Sequence, residues 1–449
     1  MSRLTKRAAA LMGIIFLVGN LPLNVAADEP KRAADYEKHI DIWGEYVPGN
    51  TGESKLSCMN INTETNYGDI ASEFSKVIVG GDYKEAEQTI DSMTYYAEIQ
   101  PGYESERFDD RPYLIPYPAD NRKVVLSRMP ETLEVSGNAA DVDNVSENEV
   151  SKNAVSRNKV SKNAVSRNTV SKNVISRNKV SKNAVSKNSL SKDAVSRNTI
   201  SKNGAALSGG SPAVIIISGG AYTYKSMDGS DFESKDIAIA LNSYGISAFV
   251  LHYRSNPYEY PYPWLDLQRA VRHLRFYAED YGIDPEKISI LGCSAGGNLA
   301  GTFINEIRGE DLLPEEYLKD EIDCVSDNVA SAALIYPVTT FKYNISMLFA
   351  AFPAAEVQDG NRRNELLNKM DLASNFNSAD IPQIVCYGTA DRLVNHEGTL
   401  EYVSAAKNAG ADIESYQLEG LDHAFRCDNY IDGYVKWLKE KVISHPGET

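Results

Sequence analysis

Residues 288–297 read Ile288-Ser289-Ile290-Leu291-Gly292-Cys293-Ser294-Ala295-Gly296-Gly297. An apolar, β-branched run meets a turn with glycine on both sides of a serine, and small residues that suit a helix start follow. Gly-x-Ser-x-Gly between a strand and a helix is the pattern of a nucleophile elbow. The glycines allow the backbone to turn sharply enough to project the Ser294 hydroxyl, and the helix N-terminus beyond it faces developing negative charge. The plain alternative is a Gly-rich turn that happens to hold a serine. The flanking strand and helix argue against it.

Outward from this stretch, residues 211–442 alternate strand and helix. Apolar runs at 213–217, 247–251, 288–291, 332–336, 383–387 and 412–418 predict strands. Helical patterns are expected near 232–243, 263–280, 295–307, 397–408 and 429–442. In 263–280, Leu267, Val271, Leu274 and Ala278 form one stripe at 3.6-residue spacing. Such alternation predicts an α/β fold with a mostly parallel sheet covered by helices on both faces.

A serine hydroxyl needs a base, and the base needs an orienting group. Asp391 follows the run at 383–387, within Gly388-Thr389-Ala390-Asp391-Arg392, and His423 follows the last strand in Gly420-Leu421-Asp422-His423-Ala424-Phe425. Loops at the carboxyl ends of parallel strands are where sites form, and the order serine, acid, histidine fits the elbow. The rivals have ordinary explanations. His252 ends a strand before the serine, His273 lies inside a helix, His396 is five residues past Asp391, and His445 is in the tail. Asp422 adjoins the histidine, a poor geometry for orienting it. Ser218-Gly219-Gly220-Ala221-Tyr222, after the first strand of the series, offers small residues whose N–H groups can face an oxyanion.

These motifs together resemble the α/β-hydrolase esterases of the hormone-sensitive-lipase and acetyl-xylan/feruloyl-esterase branch. Ser218–Tyr222 matches that family's His-Gly-Gly-Gly-Tyr loop, with Ser218 in place of His and Ala221 in place of Gly. Tyr253-Arg254, Tyr262-Pro263 and Asp266 match its Tyr-Arg, Tyr-Pro and helical Asp, and Gly282–Ile288 its Gly-Ile-Asp-Pro-x-Lys-Ile. The resemblance covers 211–442. It implies an α/β-hydrolase fold, acyl-enzyme chemistry at Ser294, His423 as base, Asp391 holding the imidazole, and Gly220, Ala221 and Ala295 N–H groups as the oxyanion hole. No cofactor and no metal are implied. Tyr258, Tyr260, Tyr262 and Trp264 lie just past a strand end, so Tyr222, Tyr262 and Trp264 are expected to contact a sugar ester. Phe341, Tyr343, Met347, Leu348, Phe349 and Phe352, in 339–380, read either as a lid or as core.

The rest of the 449 residues frames this domain. Arg3, Lys6 and Arg7, an apolar run from Ala8 to Val18 and Val25-Ala26-Ala27 read as an export signal over 1–27, with an uncleaved anchor as the alternative. No other stretch is apolar and long enough to span a membrane, so a secreted chain without a mature span is expected. Residues 28–105 carry two helix-like stretches, about 69–79 and 83–96, around Gly80-Gly81-Asp82, read as a helical hairpin without visible chemistry. The segment 113–127 reads as a β-hairpin turning at Pro118-Ala119-Asp120-Asn121. If it joins the sheet, the catalytic domain runs over 106–449 and is interrupted at 135–208.

That interruption holds twelve five-residue units of the form Val-Ser-Lys/Arg-Asn-x, starting at Val145 and ending with the unit at Ile200. A period of five keeps apolar residues on one face of neither helix nor strand. A solvated linker spanning roughly 40–45 Å and a β-solenoid with one unit per side both fit. Residues 151–203 carry thirteen Lys and Arg against Asp193 alone, a net +12, which leaves −28 of the total −16 on the remainder. So acidic a body excludes nucleic acid as a partner, while the basic tract suits contact with an acidic cell-wall polymer. Five cysteines, an odd number, match no zinc spacing and predict no disulfide framework.

The expected function is a secreted serine esterase acting on a small-molecule or polysaccharide ester. A serine peptidase of the same fold, and a surface-binding protein that uses the repeats, are the alternatives.

Overall fold

A mostly parallel sheet of eight strands organises the chain, in the order β1-β2-β4-β3-β5-β6-β7-β8. The strands are β1 (Ile40–Asp41), β2 (Tyr113–Tyr117), β3 (Ser211–Ile217), β4 (Ser247–His252), β5 (Ile283–Cys293), β6 (Ala332–Ile335), β7 (Gln383–Gly388) and β8 (Ile413–Leu418). β2 runs antiparallel to both β1 and β4, and every pairing from β4 to β8 is parallel. The computed structural model describes residues 39–44, 46–50, 58–62, 64–80, 86–98, 111–119, 210–226 and 231–444. The expected signal segment, the five-residue repeats and the second half of the 113–127 hairpin lie outside them.

The central strands β3, β4, β6 and β7 are mostly apolar because both faces of the sheet are covered there. In β3, Ala213, Ile215 and Ile217 enter one core while Val214 and Ile216 enter the other. The first core is closed by α4 (Tyr262–Phe276), α5 (Ala295–Thr302) and α7 (His396–Asn408), through Leu267, Val271 and Leu274 of α4, Leu299 of α5 and Tyr402 of α7. The second is closed by α3 (Lys235–Ser243), with Ile237 and Leu241, and by α8 (Ile431–Leu438), with Val435 and Trp437. A further helix, α6 (Gly360–Lys369), lies between β6 and β7 in sequence. Among the described residues no helix is long and apolar enough to cross a membrane.

Two departures from the sequence reading have local causes. β5 begins at Ile283, because Ser211 pairs with it, and the register then shifts past the polar stretch Asp284–Lys287 to resume at Ala213 and Ile288. The expected helix over 263–280 ends at Phe276, and a separate turn at Ala278–Tyr281 closes on Gly282 in the left-handed conformation.

The segment before residue 120 is built into the same sheet and core. Tyr113–Tyr117 pairs along its length with Ser247–His252, and Ile40 and Asp41 meet its other edge at Leu114 and Tyr113. Arg254 forms a buried pair with Asp266 at 2.6 Å, and Asp266 also accepts the Trp43 indole N–H at 2.9 Å. The Arg269 guanidinium donates to the Ile42 carbonyl at 2.7 Å while pairing with Asp323. Helices α1 (Tyr67–Gly80) and α2 (Ala86–Glu98) form the expected helical hairpin. Cys293 and Cys386 are buried, Cys58 and Cys324 exposed.

Candidate active site

β5 delivers Ser294 at φ 54° and ψ −118°, and α5 starts at the next residue. The turn is this tight only because Gly292 and Gly296 lack side chains. A Cβ on Gly292 would lie 2.1 Å from the Gly296 carbonyl oxygen, and one on Gly296 would lie 2.2 Å from the Ile217 oxygen. The elbow is bonded from both sides. The Ser294 N–H donates to the Ile335 carbonyl at 2.9 Å, and the Ser294 carbonyl accepts from Val338 and Asn298, each at 3.1 Å.

The loops after β7 and β8 bring the other two groups to this point. The Ser294 hydroxyl and His423 Nε2 are 2.9 Å apart, and His423 Nδ1 lies 2.7 Å from Asp391 Oδ2. Asp391 Oδ1 accepts the Leu393 and Val394 amides at 2.9 and 2.8 Å, which fixes the carboxylate. A carboxylate only accepts, so Nδ1 carries the proton and Nε2 is left to accept from the serine. Burial opposes charge on His423, but Asp391 outweighs it, with help from Glu233 and Asp422, and the imidazole pKa is raised. Asp422 is turned away to pair with Arg392. His252 stacks on Tyr113, His273 bonds Tyr281, and His396 stacks on Tyr387, all apart from the serine, while His445 lies outside the described residues.

Gly220 and Ala221 line the cleft beside Ser294, and Ala295 is the first residue of α5. Among the described residues the N–H groups of all three meet no acceptor, whereas the Gly219 N–H is taken by Glu233 at 2.8 Å.

The expected sugar contacts are placed elsewhere. Tyr222 and Trp264 are fully buried and stack on each other at 5.1 Å, and the Tyr222 hydroxyl donates to Asn298. Tyr262 packs against Gly49 and the Arg254 guanidinium. None of the three lines the cleft. They are packing residues: Tyr222 and Trp264 also meet the rings of Phe341 and Tyr260. Within 339–380, Phe341, Leu348, Phe349 and Phe352 are core, Tyr343 is exposed, and only Asn344 and Met347 reach the cleft.

What the sequence reading missed is α1. Phe74, Ser75 and Ile78 form one wall of the cleft, facing Ser294, His423, Val338, Met347, Leu393 and Val394. The hairpin is fastened there. Asn344 and Ser346 donate to the Ile78 and Val77 carbonyls at 2.8 and 2.6 Å, supplying partners to the open C-terminal end of α1. Thr94 bonds the Thr223 carbonyl, and Asn256 bonds Asp91. The only hint in the sequence was the stripe Ile70, Phe74, Ile78, which predicts packing without saying against what. Among the described residues no cluster of His, Cys, Asp or Glu is suited to a metal.

Residues 204–405 match the family model BD-FAE. The chain is 24% identical to the acetylxylan esterase of Xylanibacter ruminicola over 51% of its own length and 42% of that protein. It is 25% identical to the ethyl acetate hydrolase of Pseudomonas putida over 47% of this chain and 65% of that one. It thus spans less than two thirds of either relative. Among solved structures, the acetyl ester-xyloside bifunctional hydrolase of Caldicellulosiruptor lactoaceticus is 30% identical, covering 52% of this chain and 81% of that one with a TM-score of 0.44.

Proposed function

We propose, for a chain that carries an α/β-hydrolase domain of the BD-FAE type, a serine esterase that cleaves short acyl groups from carbohydrate through an acyl-enzyme. The observation that carries this reading is the continuous hydrogen-bonded line from Ser294 through His423 to Asp391, at 2.9 and 2.7 Å. Ser294 Oγ attacks the ester carbonyl as Nε2 takes its proton, and the oxyanion sits against the N–H groups of Gly220, Ala221 and Ala295. His423 then returns the proton to the leaving alcohol, and water repeats the sequence on the acyl-enzyme. The apolar wall of Phe74, Ile78, Val338 and Met347 favours an aliphatic acyl group. The carbohydrate is suggested by the acetylxylan esterase relative.

The same proposal includes export, supported by the charged, apolar and small-residue order of 1–27. It treats the repeat tract as an insertion within one catalytic domain, supported by the pairing of Tyr113–Tyr117 with strands encoded after it. Contact of the basic repeats with wall polymer is supported by charge alone.

Turnover of p-nitrophenyl acetate by the wild type and Ser294→Ala tests the chemistry, and equal rates end it. Acetate release from acetylated xylan, set against ferulate release and cleavage of a proline-containing peptide, tests the substrate.

A further inference from the structure

Glu233 lies just before α3, is 2% exposed, and nevertheless forms part of the cleft wall beside Ser294. Its Oε2 accepts the Gly219 amide at 2.8 Å and the Ser226 hydroxyl, so one carboxylate ties both ends of the loop that carries Gly220 and Ala221. Tyr336 lies near the same carboxylate, and its ring meets the His423 ring edge-on at 4.9 Å. Among the described residues Glu233 has no ion-pair partner, and its hydrogen-bond partners are one amide and one hydroxyl. Burying a carboxylate without a counter-charge is expensive. A positive charge arises beside it when His423 takes the serine proton and becomes an imidazolium.

Resting on the esterase reading, we propose that Glu233 is a positioning residue for that reaction. It clamps the two ends of the oxyanion loop through Gly219 and Ser226, and its negative charge stabilises protonated His423. Four groups set the charge around that ring: Asp391 on the β7 loop, Glu233 ahead of α3, Asp422 on its own loop, and Arg392, which offsets Asp422. Tyr336, at the end of β6, is neutral there.

Glu233→Gln separates charge from shape, because the amide oxygen can still accept from Gly219 while its NH2 faces the Tyr336 oxygen. The His423 ring is followed by NMR in 13C-histidine-labelled protein, its signal assigned by loss in His423→Asn. In Glu233→Gln the ring should titrate at lower pH than in the wild type. The acid limb of kcat/KM for p-nitrophenyl acetate should move the same way, with kcat down about tenfold and KM little changed. Ser226→Ala, which loosens the clamp and keeps the charge, should lower kcat without moving the limb. An unmoved His423 titration overturns the charge role, and an unchanged kcat in Ser226→Ala overturns the clamp. A wild type without Ser294-dependent turnover would sink the esterase reading alone, because the titration is measured without substrate.

Discussion

Ile78→Ala is the substitution that decides whether α1 belongs to the active site or merely packs near it. Ile78 is 4% exposed, lines the cleft, and stands at the end of α1 where Asn344 holds its carbonyl. Truncation removes three carbons from the wall. The fold should lose about 2 kcal/mol, the low end for such a change, because one side of the residue faces cleft space and not packed atoms. The space gained should admit about two further methylenes of an acyl chain, each worth about 0.8 kcal/mol when buried. The butanoate-to-acetate ratio of kcat/KM should then rise about tenfold. Acetate turnover itself should change less than about threefold, since no contact of Ser294, His423 or Asp391 is touched. The assay is kcat/KM on p-nitrophenyl acetate, butanoate and hexanoate, with thermal unfolding run in parallel, and on acetates of alcohols of increasing length. A folded variant with unchanged chain-length profiles in both series would refute the placement of α1 at the acyl site.

Asp391→Asn should lower kcat by about 10³- to 10⁴-fold, because the amide no longer compels the proton onto Nδ1. Asp422→Asn, which releases the Arg392 ion pair but leaves an oxygen to accept the His423 amide, should cost less than about tenfold, and the reverse order in steady-state turnover would reassign the acid. The raised pKa of His423 sets the acid limb. kcat/KM should fall with decreasing pH at a midpoint above the ordinary histidine value of about 6.5, and a midpoint below it contradicts the role given to Asp391. His273 behaves oppositely, since burial and then Arg269 lower its pKa to about 3. The unfolded chain takes that proton near pH 6.5 and the folded one does not, so this group's contribution is present above about 6.5 and lost as pH falls towards 3. Urea unfolding should show up to about 1.4 kcal/mol lost per pH unit in that window, a slope that His273→Gln flattens.

The parts of the fold legible in the sequence are those whose cause is local. β3 to β8 each announce themselves by an apolar run, and the elbow by two glycines that no other arrangement needs. Ser294, Asp391 and His423 are far apart in the chain, yet each sits just past a strand end, and parallel pairing puts those ends on one edge. Features fixed by distant partners were silent. Asp284–Lys287 is polar and is bypassed by a register shift between the Ser211–Ile283 and Ala213–Ile288 pairs. Tyr222 and Trp264 look like a stacking platform and are core, because they stack on each other between Phe341 and Tyr260, far apart in the chain. Glu233 reads as an ordinary acid before a helix, and only the approach of Gly219, Ser226 and Tyr336 makes it anything else.

Backbone strain points to the same centre by an independent route. Among the described residues five non-glycines have positive φ: Ala221 (56°), Tyr222 (60°), Ser294 (54°), Tyr336 (36°) and Ala424 (57°). They are the oxyanion loop, the nucleophile, the ring against His423 and the neighbour of His423 itself. Each such conformation costs on the order of 1–3 kcal/mol and persists only where surrounding contacts over-determine it. Those contacts are identifiable. Tyr222 is held by Asn298 and Trp264, Tyr336 by Glu233 and by its N–H to the Cys386 carbonyl, and Ser294 by Ile335 and Val338. None of them requires a substrate. On the proposed esterase reading, the donors and the triad are set before an ester arrives, and the rest of the fold carries the cost of holding them there.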